Sequence, residues 1–280
     1  MPLPDPTHGD VTDLATLLEL EELDRDLFRG RNGNHGAPRH SLYGGQVAAQ
    51  ALRAASLTVP PDRMPHSLHG YFLRAGRPDH PVVFAVDRDR DGGSFSARHV
   101  RAVQHGEVIF SMLASFNDER AAATFEAQPT REAPPPEEVS SPGWDDLVEL
   151  RQISTRMIGV HTVSDHFWCR VRSPFPDDPV LHACALTYLS DNGSGFGLLD
   201  VPGVPPGGPS IDHVMWFHEP IRVDEWVLVD LRPARASGGR GTYLGTLRSL
   251  GGGLGAVIGQ EVLLRYPPDV EPTSIESRPA

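Results

Sequence analysis

The stretch Asp178-Pro179-Val180-Leu181-His182-Ala183-Cys184-Ala185-Leu186-Thr187-Tyr188-Leu189-Ser190-Asp191 decides how this chain folds. Asp178 carries the side chain of an N-cap, and Pro179 suits the first helical turn, where its missing N–H is not needed. Leu181, Cys184, Ala185, Tyr188 and Leu189 then recur at i, i+3, i+4, i+7 and i+8, the spacing of an apolar helix face. Asn192-Gly193 supplies a stop. A second helix of the same kind is predicted upstream. It begins at Gly44-Gly45 and sets Val47, Ala48, Ala51, Leu52 and Ala55 on one side.

Each helix is followed by strand-like runs. After the first come Ser67 to Leu73, Val82 to Val86, Phe95 to Val103 and Val108 to Phe116. After the second come Ser210 to Phe217, Trp226 to Leu231, Thr242 to Leu247 and Ala256 to Leu264. Turns such as Asp91-Gly92-Gly93 and Gly251-Gly252-Gly253 suit antiparallel hairpins. One apolar helix followed by an antiparallel sheet, twice over, is an α+β architecture in which a sheet wraps each helix. The polar chain from 117 to 145, passing through Arg131-Glu132-Ala133-Pro134-Pro135-Pro136, reads as a linker. The expected units are 13–116 and 146–267, with Pro-rich tails over 1–12 and 268–280.

Composition removes several function classes. The chain has 280 residues, a formal charge of −12 and 39% apolar residues, enough for a core. Its 28 glycines and 27 prolines are dispersed without a period, which excludes collagen. All 25 basic residues are arginine. Schiff-base and PLP enzymes and the Walker A loop each need a lysine, so none of them fits. The acidic balance argues against a nucleic-acid surface. Gly-x-Ser-x-Gly, His-Glu-x-x-His and Cys-x-x-Cys are missing, and Cys169 and Cys184 cannot build a metal framework. His213 and His218 point to opposite faces of one strand, so the 13 histidines read as surface or partly buried groups. No metal and no cofactor is implied. Without a signal-peptide pattern or an apolar run of membrane length, a soluble cytoplasmic protein with no membrane contact is expected.

Three residues stand out. Ala256, Ile258, Gln260, Val262 and Leu264 share one strand face, so Gln260 is the lone polar side chain on an apolar stripe. A buried amide without partners costs about 1–3 kcal/mol, so Gln260 is either structurally paired or part of a site. Asp191 falls at the end of the second helix, where the helix dipole disfavours a carboxylate by about 0.3–1 kcal/mol. It is either a solvated turn residue or a general base. Ser210 opens a strand after the Gly203 to Pro209 loop and says nothing alone.

Leu27-Phe28-Arg29-Gly30, Gly44-Gly45-Gln46-Val47, His66-Ser67-Leu68-His69-Gly70-Tyr71-Phe72-Leu73-Arg74 and Ser94-Phe95-Ser96-Ala97-Arg98 resemble the acyl-CoA thioesterase II family. So do Leu189-Ser190-Asp191, Ile211-Asp212-His213-Val214-Met215-Trp216-Phe217-His218 and Gln260-Glu261, in consistent order over roughly residues 18–266. The resemblance implies a double hotdog fold. It also implies hydrolysis of acyl-CoA by a directly activated water, with the family's Asp, Thr or Ser, and Gln falling on Asp191, Ser210 and Gln260. Two departures are Ser210, where many members carry threonine, and Asn192-Gly193-Ser194-Gly195, where relatives often carry bulkier apolar residues.

In that reading Asp191 is the base, and Ser210 and Gln260 orient the water. Gly44, Gly45 and Gln46, opening the first helix, are the candidate oxyanion donors. Arg98, Arg101, Arg240 and Arg265 are the candidate contacts to coenzyme A, since a net-acidic protein must bind it through a local arginine patch. The first half lacks the triad: Ala114 stands where Gln260 would, and the helix ends in Ala54-Ala55-Ser56-Leu57. One active site per chain is expected. Two rivals remain. One is a hotdog enoyl-CoA hydratase using Asp177 and His182, whose spacing superficially suits it; the other is an acyl-CoA-binding protein without catalysis. A homo-oligomer fits the resemblance, because an exposed edge strand invites pairing.

Overall fold

The computed structural model describes residues 11–33, 41–118, 123–127, 130–140, 146–158, 161–198 and 208–264. A short helix α1 (Leu14–Leu17) and the hairpin β1 (Leu20–Asp24) and β2 (Leu27–Gly30) precede helix α2 (Gly44–Ser56). Then come β3 (Arg63–Phe72), β4 (Val82–Asp91), β5 (Phe95–Gln104) and β6 (Glu107–Asp118). The second half repeats the plan: a hairpin of β7 (Val148–Ile158) and β8 (His161–Val171), helix α3 (Pro179–Ser190), then β9 (Asp212–Phe217), β10 (Val227–Ser237), β11 (Arg240–Ser249) and β12 (Leu254–Leu263).

Among the described residues all twelve strands join one sheet, in the order β1-β2-β4-β5-β6-β3-β9-β12-β11-β10-β8-β7. Every pairing in it is antiparallel. The order reads the same from either end, with the halves meeting where β3 pairs β9 from Ser67 opposite Trp216 to Tyr71 opposite Asp212. The hairpin ahead of each helix was not expected from sequence. In β7 and β8 the charged side chains Glu149, Arg151 and Arg170 pair with one another on an edge, which breaks up the apolar alternation.

Both helices form as expected. Asp178 Oδ1 accepts from the Val180 and Leu181 N–H groups at 2.9 and 3.2 Å, capping α3. Helix α2 has no side-chain cap and is buried nearly all round. Its alanines let it lie close to β3–β6 and to α3, while Gln50 satisfies the Leu17 and Arg31 carbonyls at 2.9 and 2.8 Å. Within the segment read as a linker, the described residues Arg131 and Pro134 are fastened to the second half. Arg131 donates to Asp230 Oδ1 at 2.7 Å, and Trp168 Nε1 donates to the Pro134 carbonyl at 2.9 Å. The 268–280 tail lies outside the described residues.

Candidate active site

Helix α3 ends on Asp191, and helix α2 begins beside it. The Gly45 N–H donates to Asp191 Oδ2 at 2.8 Å, across 146 positions of sequence. The positive end of α2 thus faces a carboxylate that sits at the negative end of α3, which offsets the dipole mismatch expected from sequence alone. Glycine is required at this contact. A Cβ on Gly45 would lie 2.7 Å from the Tyr188 carbonyl oxygen, and one on Gly44 2.8 Å from Asp191 Oδ2. Tyr43, just before α2, closes the junction by donating its hydroxyl to the Tyr188 carbonyl at 2.9 Å.

Gln260 reaches the same carboxylate from β12. It is 2% exposed and points inward with Ile258 and Val262, while Glu261 turns outward to accept from Arg240 Nε at 3.0 Å. Gln260 Nε2 donates to Asp191 Oδ1 at 2.8 Å and also to Ser210 Oγ. Ser210 is held beside β12 by a bridge to Val262, with the Leu263 N–H donating to the Pro209 carbonyl at 2.9 Å. Asp191, Ser210 and Gln260, far apart in sequence, therefore meet at one place. Asp191 and Ser210 line a cavity of about 580 Å³ together with Gly44, Phe72, Phe110 and Arg74. Gly70 makes room for this floor, since its Cβ would lie 2.3 Å from the Phe110 ring.

Several neighbours were not foreseen. Tyr243 on β11 stands directly opposite Gln260 and donates its hydroxyl to Gln260 Oε1. Burial, and the charges of Asp191 and Asp212, push the Tyr243 phenol well above its usual range, so it remains a donor. His213 is wholly buried behind the site, not a surface residue. Its Nε2 lies 2.8 Å from Ser190 Oγ, which itself donates to the Thr187 carbonyl, and burial lowers the imidazole pKa. Arg74, within the quoted family motif, lies on the cavity wall and pairs with Glu107 at 2.8 Å. Period-two alternation and strand pairing were the signals for Tyr243 and His213.

Other expectations need correction. Of the three expected oxyanion donors, Gly45 gives its N–H to Asp191 and Gly44 lines the cavity, while the Gln46 side chain reaches Asn32 and Arg31 in the core. Arg98 is 0% exposed. Its guanidinium donates to Thr58 Oγ1, to the Thr58, Arg90 and Ala97 carbonyls and to Asp91 Oδ1, at 2.6–3.0 Å. It sits past the C-terminus of α2, roughly 20 Å from Gly44 at 1.5 Å per residue. It therefore braces the fold and is not a coenzyme A contact. Arg101 is engaged by Asp87 at 3.4 Å and Arg240 by Glu261 at 3.0 Å, and neither lines the cavity; Arg265 lies outside the described residues. Neither residue of the hydratase pair lines the cavity. Asp177 has a 91% exposed side chain paired with Arg222, whereas His182 is buried against Phe175 with Nδ1 accepting from the Val223 N–H at 3.2 Å.

Residues 33–117 match the acyl-CoA thioesterase N-terminal domain and residues 123–264 the acyl-CoA thioesterase C-terminal domain. Acyl-coenzyme A thioesterase 8 of Homo sapiens is 33% identical over 300 residues, covering 94% of this chain and 92% of that protein. The crystal structure of an acyl-CoA thioesterase II from Mycobacterium marinum is 39% identical with a TM-score of 0.77, covering 91% of this chain and 99% of that one. A hot dog fold protein from Alicyclobacillus acidocaldarius, 22% identical, shares the architecture with a TM-score of 0.71 over 90% of this chain and 97% of that one. With its two helix-wrapped halves joined in one sheet, the chain is a double hotdog protein and belongs to the acyl-CoA thioesterase family.

Proposed function

We propose that this chain hydrolyses acyl-CoA thioesters to the free acid and coenzyme A, with a water activated by Asp191. One observation carries the reading: a carboxylate fixed by two donors, Gly45 N–H and Gln260 Nε2, lies on the wall of an apolar cavity beside the Ser210 hydroxyl. A carboxylate oxygen has more than one lone pair, so a held carboxylate can still accept a proton from water. Ser210 Oγ accepts from Gln260, which directs its own hydrogen elsewhere and suits it to donate to the water oxygen. The water sits between Asp191 and Ser210, gives its proton to Asp191, and attacks the thioester carbonyl as the carbon–sulfur bond breaks. The proton on Asp191 then passes to the departing sulfur. In this reading the Gly44 N–H, at the start of α2 on the cavity wall, stabilises the developing oxyanion.

In this mechanism Gln260 does not touch the water. It ties the base to the hydroxyl, which refines its expected role. The acyl chain takes the apolar wall formed by Leu42, Val47, Phe72, Ile109 and Phe110, and Arg74 is the cation on that wall suited to the coenzyme A phosphates. Among the described residues no second site of this kind forms. Ala114 faces Leu68 on the inner side of β6, and at the start of α3 Pro179 has no N–H while the Val180 N–H is capped by Asp178.

The test is thiol release from a panel of acyl-CoAs, short to long, branched and aromatic. Turnover is expected, with Ser210→Ala and Gln260→Ala each losing activity and the double variant losing less than the two effects combined, because they serve one water. Silence across the panel while crotonyl-CoA is hydrated, or binding without turnover, would overturn the reading.

A further inference from the structure

Tyr243 is buried, directly opposite Gln260 across the β11–β12 pair, and its hydroxyl meets the oxygen end of the Gln260 amide. A glutamine amide is nearly symmetric in shape but not in chemistry. With Nε2 toward Asp191 and Ser210 it donates to both; turned over, it would set Oε1 against the carboxylate oxygen and draw the Ser210 hydrogen away from the water. What the far end of the amide touches therefore bears on which way the Ser210 hydroxyl points.

The seat for this tyrosine is cut from the neighbouring loop. A Cβ on Gly195 would lie 2.4 Å from Tyr243 Cβ and 2.6 Å from its Cγ, so only glycine lets the ring lie at this depth. Phe196 meets the ring edge-on at 6.4 Å between centroids, in a space that a Cβ on Gly241 would fill at 2.5 Å. Two glycines and one aromatic ring thus place a single hydroxyl. The ring packs with its apolar neighbours whatever its para substituent, so the hydroxyl is separable from the packing.

Resting on the proposed thioesterase mechanism, we propose that Tyr243 is a positioning residue for hydrolysis: its O–H fixes the Gln260 amide so that Nε2 holds both Asp191 and Ser210, and Gly195 is the seat that makes this possible. Tyr243 touches neither substrate nor water. Its effect runs through Gln260 alone.

Tyr243→Phe keeps the ring and removes the donor. The expected result is a roughly 10-fold lower kcat for acyl-CoA hydrolysis, with KM and the affinity for a non-hydrolysable thioether analogue of acyl-CoA within about twofold of the parent. In a Gln260→Ala background the same change should cost less than about twofold, because there is no amide left to hold. Gly195→Ala, which displaces the ring without altering its chemistry, should reproduce the kcat loss. A Tyr243→Phe enzyme with parental kcat, or one whose loss is undiminished in the Gln260→Ala background, overturns the assignment while leaving the general-base mechanism standing. Parental turnover in Gln260→Ala overturns the assignment and the role of Gln260 in the mechanism, whereas a near-parental Asp191→Asn overturns the general-base mechanism itself.

Discussion

Asp191→Asn is expected to lower kcat for acyl-CoA hydrolysis by about 10²–10⁴-fold, the usual contribution of a general base. Asparagine matches aspartate in size and still accepts a hydrogen bond, but it cannot take a proton from water. The loss therefore falls on turnover, and binding of a thioether analogue should be unchanged. The structure adds a second consequence. Asp191 accepts from Gly45 N–H on one oxygen and from Gln260 Nε2 on the other, and asparagine has only one oxygen to offer. One donor will then face the NH₂ group, at a stability cost of about 1–3 kcal/mol. A modest fall in melting temperature should accompany the loss of activity, with the sheet intact by circular dichroism. An Asp191→Asn protein that still releases thiol at near-parental rate would remove Asp191 from the role of base.

Arg98→Met should have the largest effect on stability and none on substrate affinity. The substitution keeps an unbranched apolar stem but strips five hydrogen bonds from a wholly buried guanidinium. The Thr58, Arg90 and Ala97 carbonyls lose a donor, whereas Asp91, half exposed, recovers solvent. Counting mainly the unsatisfied buried groups, the cost is about 2–4 kcal/mol, which for a chain of this size lowers the melting temperature by about 5–15 °C. Thermal unfolding checks the first part. Steady-state kinetics on the folded enzyme, below its transition, checks the second, with KM for acyl-CoA expected at the parental value. A raised KM at unchanged melting temperature would return Arg98 to the coenzyme A site.

The contrast between Arg98 and Gln260 shows how far local patterning carries. Gln260 alternates with Ile258 and Val262, and that period alone turns it inward, where the structure has it. Arg98 alternates with Val100 and Ala102, buried residues of β5, and by the same rule it points inward too. The signal was present in both strands; charge alone suggested a surface role for the arginine. Helix α3 was equally legible, because its cap, its first-turn proline and its apolar spacing are all local. Contacts between elements distant in sequence were not. The Gly45–Asp191 bond depends on α2 and α3 packing end to start, and the placement of Tyr243 depends on the β11–β12 register and on room made by Gly195. The edge hairpin β7–β8 escaped notice because its outward charges satisfy one another, leaving little apolar rhythm to read.

The central claim is that water attacks the thioester directly, with no bond forming between acyl group and protein. A single turnover of acyl-CoA in H₂¹⁸O, with enzyme in excess and both products examined by mass spectrometry, tests it most directly. The expected result is one ¹⁸O in the released acid, none in the peptide containing Asp191, and no acyl adduct on the protein at any quench time. Label in the Asp191 carboxylate, or an acyl ester trapped on Ser210, would contradict it.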